Sequence, residues 1–164
     1  FPTLPYGAEN IDRMHEFIIT LPPETFMSIS EKGIPKSQII GNIGKLFLDF
    51  GIHAPTVSFP EPFGLMIEPT ESYTKGELDK FYGVLVAIKK LINSNPEVLL
   101  TVPHFTPVKK VDEVKANKDL IISDNINELP DLKLDEITPK ELSMMTPNDV
   151  CENIVRRHHK EINK

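Results

Sequence analysis

Prolines constrain this chain more than any other residue type. Fifteen occur in 164 residues, nearly twice the usual share of about 5%. Each fixes φ and removes a backbone donor, so a proline ends or edges an element more readily than it sits inside one. Many fall at such ends. Pro22-Pro23 stops the apolar run within Met14–Leu21, Pro60 and Pro69 each close a short β-type run, and Pro103 and Pro107 frame a loop. The chain is thereby cut into short elements.

At this length, with 40% hydrophobic residues, the chain can bury one core of ordinary size, so one domain plus a tail is expected. A net charge of −6 argues against nucleic acid, whose binders cluster Lys and Arg against phosphates. No apolar run reaches the roughly 18 residues needed to span a bilayer. The single Cys151 cannot form an internal disulfide, which fits a reducing compartment. The chain opens on Phe1 rather than Met, which suggests a processed or excised piece.

Residues 1–12 are rich in turn formers and read as a connector. Met14–Leu21 reads as a strand, and Pro22-Pro23-Glu24 opens a short helix that Gly33 terminates. Over Pro35–Phe50, Ile39, Ile40, Ile43, Leu46, Phe47 and Phe50 recur at helical spacing, with Gly51 supplying the left-handed C′ position. Gly41 and Gly44 weaken that helix unless a neighbour packs closely there. Behind Thr74, with Glu77 completing a capping box, a long helix carries Leu78, Phe81, Tyr82, Leu85, Ile88, Leu91 and Ile92 as its buried stripe. Beyond residue 115 lies a tail, 116–164. Leu120–Ile122 reads as a strand, Asp124–Asp135 as acidic and irregular. Thr138-Pro139-Lys140-Glu141 and Thr146-Pro147-Asn148-Asp149 read as helix starts. The last helix is thinly apolar and is expected to dock on a partner surface or fray.

Between these helices lies Gly51–Leu78. Thr56–Phe59 and Leu65–Ile67 read as strands of a hairpin, and the second empties into Glu68-Pro69-Thr70-Glu71-Ser72. Strand ends that release carboxylates and hydroxyls before a helix are common places for functional groups. The motifs here are His53-Ala54-Pro55-Thr56-Val57, Phe59-Pro60, Leu65 through Ser72, and Lys75 with Leu78-Asp79. Pro103-His104, Thr106-Pro107-Val108, Lys109-Lys110 and Asp112-Glu113-Val114 follow. In order and spacing they resemble the C-terminal domain of glycine dehydrogenase (decarboxylating), the pyridoxal-phosphate-dependent P-protein of the glycine cleavage system. The resemblance covers about His15 to Val114. Ser58 departs from it, since the family usually has an aromatic there, as does the short Pro60–Gly64 connector.

The resemblance implies an α/β (α+β) fold. It would be the small C-terminal domain of a fold-type I pyridoxal-phosphate enzyme, a short, mainly antiparallel sheet with helices packed on one face, over residues 13–115. It also implies an activity. The complete enzyme joins glycine to pyridoxal phosphate, releases carbon dioxide and passes the aminomethyl group to the lipoyl arm of the H-protein. The cofactor-bearing lysine of the family lies in a His-Lys segment followed by a glycine-rich run. His159-Lys160 is followed by Glu161-Ile162-Asn163 instead. No catalytic residue is therefore assigned to this segment. The implied partners are an N-terminal pyridoxal-phosphate domain or subunit, the lipoyl H-protein and glycine. The implied setting is cytoplasmic, or the mitochondrial matrix in a eukaryote.

The substrate- or cofactor-facing candidates are His53, Thr56, Glu68, Thr70, Glu71, His104 and Thr106. The structural alternative is that Thr70 and Glu71 cap a turn, Glu68 is solvated, His53 covers a helix end, and the His104 loop is a packed connector. Glu68 and Glu71 as a paired-carboxylate hydrolase site are unspecific at three residues apart in a loop. His158-His159 with Arg156-Arg157 read as a solvated face, because adjacent helix residues diverge, and no metal site is expected. Two readings stand: wall and lid of an active site completed elsewhere, or a non-catalytic interaction module derived from this domain.

Overall fold

A computed structural model describes residues 1–7, 10–58, 63–119 and 137–164. Strands β1 (Thr3–Leu4), β2 (Phe17–Thr20), β3 (Thr56–Val57) and β4 (Gly64–Ile67) form one antiparallel sheet in the order β1-β2-β4-β3. The helices are α1 (Pro23–Glu31), α2 (Lys36–Asp49), α3 (Lys75–Ser94), α4 (Glu113–Lys118), α5 (Pro139–Met144) and α6 (Pro147–Ile162), with a 3₁₀ turn over Pro96–Leu100. This is the small α/β domain that the sequence implies. Leu120–Ile122 and Asp124–Asp135, read as a strand and an acidic stretch, lie outside the described residues, as do Phe59 and most of the hairpin connector. Among the described residues no helix is long and apolar enough to cross a membrane.

The elements follow from local chemistry. Pro22 and Pro35 stand just before α1 and α2, and Gly33 and Gly51 adopt positive φ (93° and 68°) just beyond their ends, conformations that glycine enters without steric cost. Thr74, Thr138 and Thr146 each accept from the N3 backbone while the N3 carboxylate reaches back. These are the capping boxes that the sequence predicts.

In the antiparallel register Phe17 faces Ile67 and Ile19 faces Leu65. Ile19, Leu65 and Ile67 join Ile39, Ile43 and Phe47 of α2 and Ile88 of α3 in one buried cluster. Helix α2 meets the sheet at β3 and β4, and α3 packs on α2, the 3₁₀ turn and α6. Phe47 and Phe81 stack at 5.9 Å where α2 and α3 meet.

The structure differs from the sequence reading at three points. Leu78 and Tyr82 are 40% and 69% exposed, because they lie on the flank of α3, rotated from the stripe centred on Val84, Ile88 and Leu91. Within the expected connector, Thr3 and Leu4 pair with Ile19 and Ile18, a ladder too short to leave a period in sequence. The last helix docks on its own domain, burying Val150, Ile154 and His158.

The two glycines of α2 both leave room for a methyl group: a Cβ on Gly44 would meet Ala54 Cβ at 3.6 Å, an ordinary contact, and one on Gly41 would meet nothing within 4 Å. At Gly64 a Cβ would stand 2.3 Å from Ile18 Cγ2 and 2.8 Å from the Ile19 carbonyl. The backbone itself excludes a side chain there. Gly64→Ala is expected to lower stability by about 1–3 kcal/mol through overpacking. Gly41→Ala should raise it by about 0.5–1 kcal/mol through helix propensity. Urea midpoints at unchanged slope measure both.

Candidate functional site

Polar groups with functional potential fall into two sets, one exposed at the end of the β3–β4 ladder and one buried at the end of α2. Thr56 pairs with Met66 and Val57 with Leu65. This register brings the segment entering β3 (His53 to Thr56) to the same end of the hairpin as the segment leaving β4 (Glu68 to Glu71). His53, Thr56, Glu68, Thr70 and Glu71 are all exposed there. Thr70 Oγ1 lies 3.0 Å from Ser72 Oγ, and its carbonyl accepts from Tyr73 N–H at 3.2 Å. Thr70 thus takes part in the turn that follows β4.

The buried set is built around Asp49, in the last turn of α2 and 0% exposed. A carboxylate there faces the negative end of the helix dipole and needs donors from elsewhere. The segment after the 3₁₀ turn supplies them. His104 N–H and Phe105 N–H donate to Oδ1 at 2.6 and 2.9 Å, and His104 Nδ1 lies 2.8 Å from Oδ2. Three donors on one carboxylate compensate its burial. The far side of the ring continues the chain. His104 Nε2 is 3.0 Å from Thr101 Oγ1, and that hydroxyl is 2.8 Å from His158 Nδ1 on α6. Arg157 NH1 donates to the His104 carbonyl at 2.8 Å, and its guanidinium lies 4.6 Å from the Phe105 ring centre.

His104 therefore points inward, 3% exposed, and its ring serves as a strut under the loop, as the packed-connector alternative had it. Thr106, half-buried, donates to the Val108 carbonyl at 2.9 Å and stays near the loop surface. The solvated-face reading of residues 156–159 holds for Arg156 and His159, which are exposed, but fails for His158, 1% exposed. Spacing explains it: Val150, Ile154 and His158 recur every fourth residue and share one helix face.

Asp49, Thr101, Arg157 and His158 carry this network without standing out in sequence. The available signals were an acid in the final turn of an apolar helix and a histidine in register with two buried aliphatics. Cys151 is half-buried on α6, and burial pushes its thiol up to about 11, which makes it a poor nucleophile. Among the described residues no group of three His, Cys, Asp or Glu gathers as a metal site. A groove of roughly 520 Å³ between α3 and α6, lined by Leu91, Cys151 and Val155 with Lys90 and Arg156, contains none of the sequence-predicted residues.

Comparison with known proteins follows the same residues. The family described as "Glycine dehydrogenase, C-terminal domain" matches residues 2–102. A probable glycine dehydrogenase (decarboxylating) subunit 2 from Legionella pneumophila (strain Corby) is 41% identical over 119 residues, 70% of this chain and 23% of that protein. The protein of the same description from Thermotoga petrophila is 51% identical over 79 residues, 47% of this chain and 17% of its own length. The chain thus spans less than a quarter of the curated relatives it matches. No solved structure matches.

Glycine dehydrogenases generally depend on pyridoxal phosphate, an anionic cofactor. Phosphate favours an open helix N-terminus; those of α3, α5 and α6 hold the carboxylates of Glu77, Glu141 and Asp149, whereas those of α1 and α2 carry no side-chain cap. Hydrogen bonds from the cap threonines keep these acids below their ordinary pKa, so they stay anionic where phosphate would sit. The described lysines are exposed apart from Lys45, which is half-buried.

Asp49→Ala would leave a buried imidazole N–H and two backbone donors without their acceptor. It is expected to cost about 3–5 kcal/mol. Asp49→Asn, which keeps one oxygen for the backbone pair, should cost less. Chemical denaturation of both against the parent checks the order, and equal losses would show that the carboxylate's charge is immaterial.

Proposed function

This chain belongs to the glycine dehydrogenase C-terminal domain family, and from that premise we propose that it is the wall and lid of an active site completed by another part of the enzyme. The observation that carries the reading is the pairing of an exposed polar rim with a rigid buried brace. His53, Thr56, Glu68, Thr70 and Glu71 share one end of the β3–β4 ladder and are exposed. A few residues before β3, Asp49 ties the end of α2 to the 104–105 loop. A lid must present hydrogen-bonding groups on a surface that does not yield, because positional error weakens catalysis.

In this reading the rim approaches glycine or the lipoyl arm of the H-protein and excludes water from the reacting centre. The lysine that anchors pyridoxal phosphate belongs to the partnering part, a reading supported by His159-Lys160 being followed by Glu161-Ile162-Asn163 rather than by a glycine-rich run. The relatives are described as subunit 2, so another subunit or the remainder of a longer chain is the natural partner. Tyr73, Leu78 and Tyr82, exposed around the start of α3, give that partner apolar surface to cover. Their exposure also suits the competing reading of a non-catalytic interaction module.

Adding pyridoxal phosphate to the 164-residue chain alone should give no lysine-bound absorption band and no borohydride-fixed label. A labelled lysine would overturn the lid reading. In the complete enzyme, His53→Ala and Thr70→Ala are each expected to slow glycine–bicarbonate exchange about tenfold, the worth of one hydrogen bond at the reacting centre. Parental rates in both would make the rim structural and favour the interaction module.

A further inference from the structure

Helix α6 buries one row of side chains most deeply in the domain, with Cys151 and Val155 half-buried beside it. Val150 and Ile154 are apolar and buried, and His158 completes the row, likewise buried. Its neighbour Arg157 grips the His104 carbonyl and covers the Phe105 ring. The last turns of α6 thus hold the 101–105 segment, and the residue most deeply placed in that grip is titratable.

The hydrogen bonds show where a proton could be added to it. His104 gives its Nδ1–H to Asp49, so in the neutral ring Nε2 is an acceptor. Thr101 has one hydroxyl hydrogen, with His104 Nε2 at 3.0 Å and the Val98 carbonyl at 3.2 Å as acceptors for it. When that hydrogen goes to His104 Nε2, the hydroxyl lone pairs accept Nδ1–H from His158. In the neutral His158 ring Nε2 then carries no proton, and an added proton has only that nitrogen to occupy.

We infer that α6 is a strap held on the 101–105 segment by the neutral form of His158, and that protonating His158 releases the strap while the remaining core stays folded. A second proton would put a cation on a ring with 1% exposure, next to Arg157. Burial is the chief cause that lowers the His158 pKa, and His159 and His104 lower it further, while Glu97 of the 3₁₀ turn and Glu161 oppose them. Glu161 is itself paired with Lys109. Among the described groups acting on the ring, α3 adds none.

The remaining core can outlast the strap because α6 supplies only Val150 and Ile154 to the fully buried cluster, which is otherwise drawn from β2, β4, α1–α3 and the residues around them. Within α6, the capping box of Thr146 and Asp149 acts locally, and an isolated helix of this length is marginal in water, so release opens its backbone amides to exchange.

The direction with pH follows. An undocked imidazole takes its proton near pH 6.5, and the docked one at lower pH. Docking is therefore at full strength above about pH 6.5. It weakens as pH falls from there to the docked pKa, and is flat below that, by up to about tenfold per pH unit.

Hydrogen exchange on the full 164-residue chain at pH 7.5 and 5.5, corrected for intrinsic rates, tests this. Protection of 147–162 should fall at least threefold at the lower pH while that of 36–49 holds. His158→Gln, neutral at both values and able to donate to Thr101, should change less than twofold over 147–162. Unchanged protection of 147–162 in the parent overturns the proposal without any variant. So does joint loss over 36–49, or an equal fall in His158→Gln.

Discussion

A carboxylate buried at the unfavourable end of a helix sets the layout of this domain. Asp49 sits where the α2 dipole repels negative charge and where water cannot compensate it. The position is tenable only because the 104–105 backbone and the His104 ring converge on it. Helix α2 and the post-3₁₀ segment are therefore locked together at one point. From that point the chain runs through Gly51, with positive φ, into the segment that starts β3.

The hairpin that follows in the chain is shaped by a close approach of backbone. Gly64 opens β4 opposite Thr20, so near Ile19 that no Cβ could be accommodated. Ser58 N–H donates to the Gly64 carbonyl at 2.9 Å and closes the β3–β4 pair. With one sheet face committed to the core through Ile19, Leu65 and Ile67, polar residues just beyond the strands have no interior to enter. They collect as a rim at one end of the ladder.

Helix α6 changes how the domain is bounded physically. Family similarity covers residues 2–102, yet Val150 and Ile154 lie in the same buried cluster as the sheet and α2. The polar chain from Asp49 through His104 and Thr101 ends on His158. The tail is thus wired to the buried set by hydrogen bonds as well as by apolar contact. This differs from a helix laid on a surface through its apolar stripe alone.

Sequence by itself determined the local events, because those depend on residues within a few positions of each other. Prolines and glycines marked the ends of α1 and α2, Thr74 and Glu77 the start of α3, and the motifs from His53 to Ser72 the family. The polar rim was legible for the same reason: its residues flank short strands and are contiguous with them. Tertiary structure alone decided which way His104 turned, that Asp49 was its partner 55 positions away, and that His158 was buried while His159 stayed wet. Those outcomes depend on where separate elements come to rest, and a carboxylate or imidazole reads the same in sequence whether water or three converging donors satisfy it.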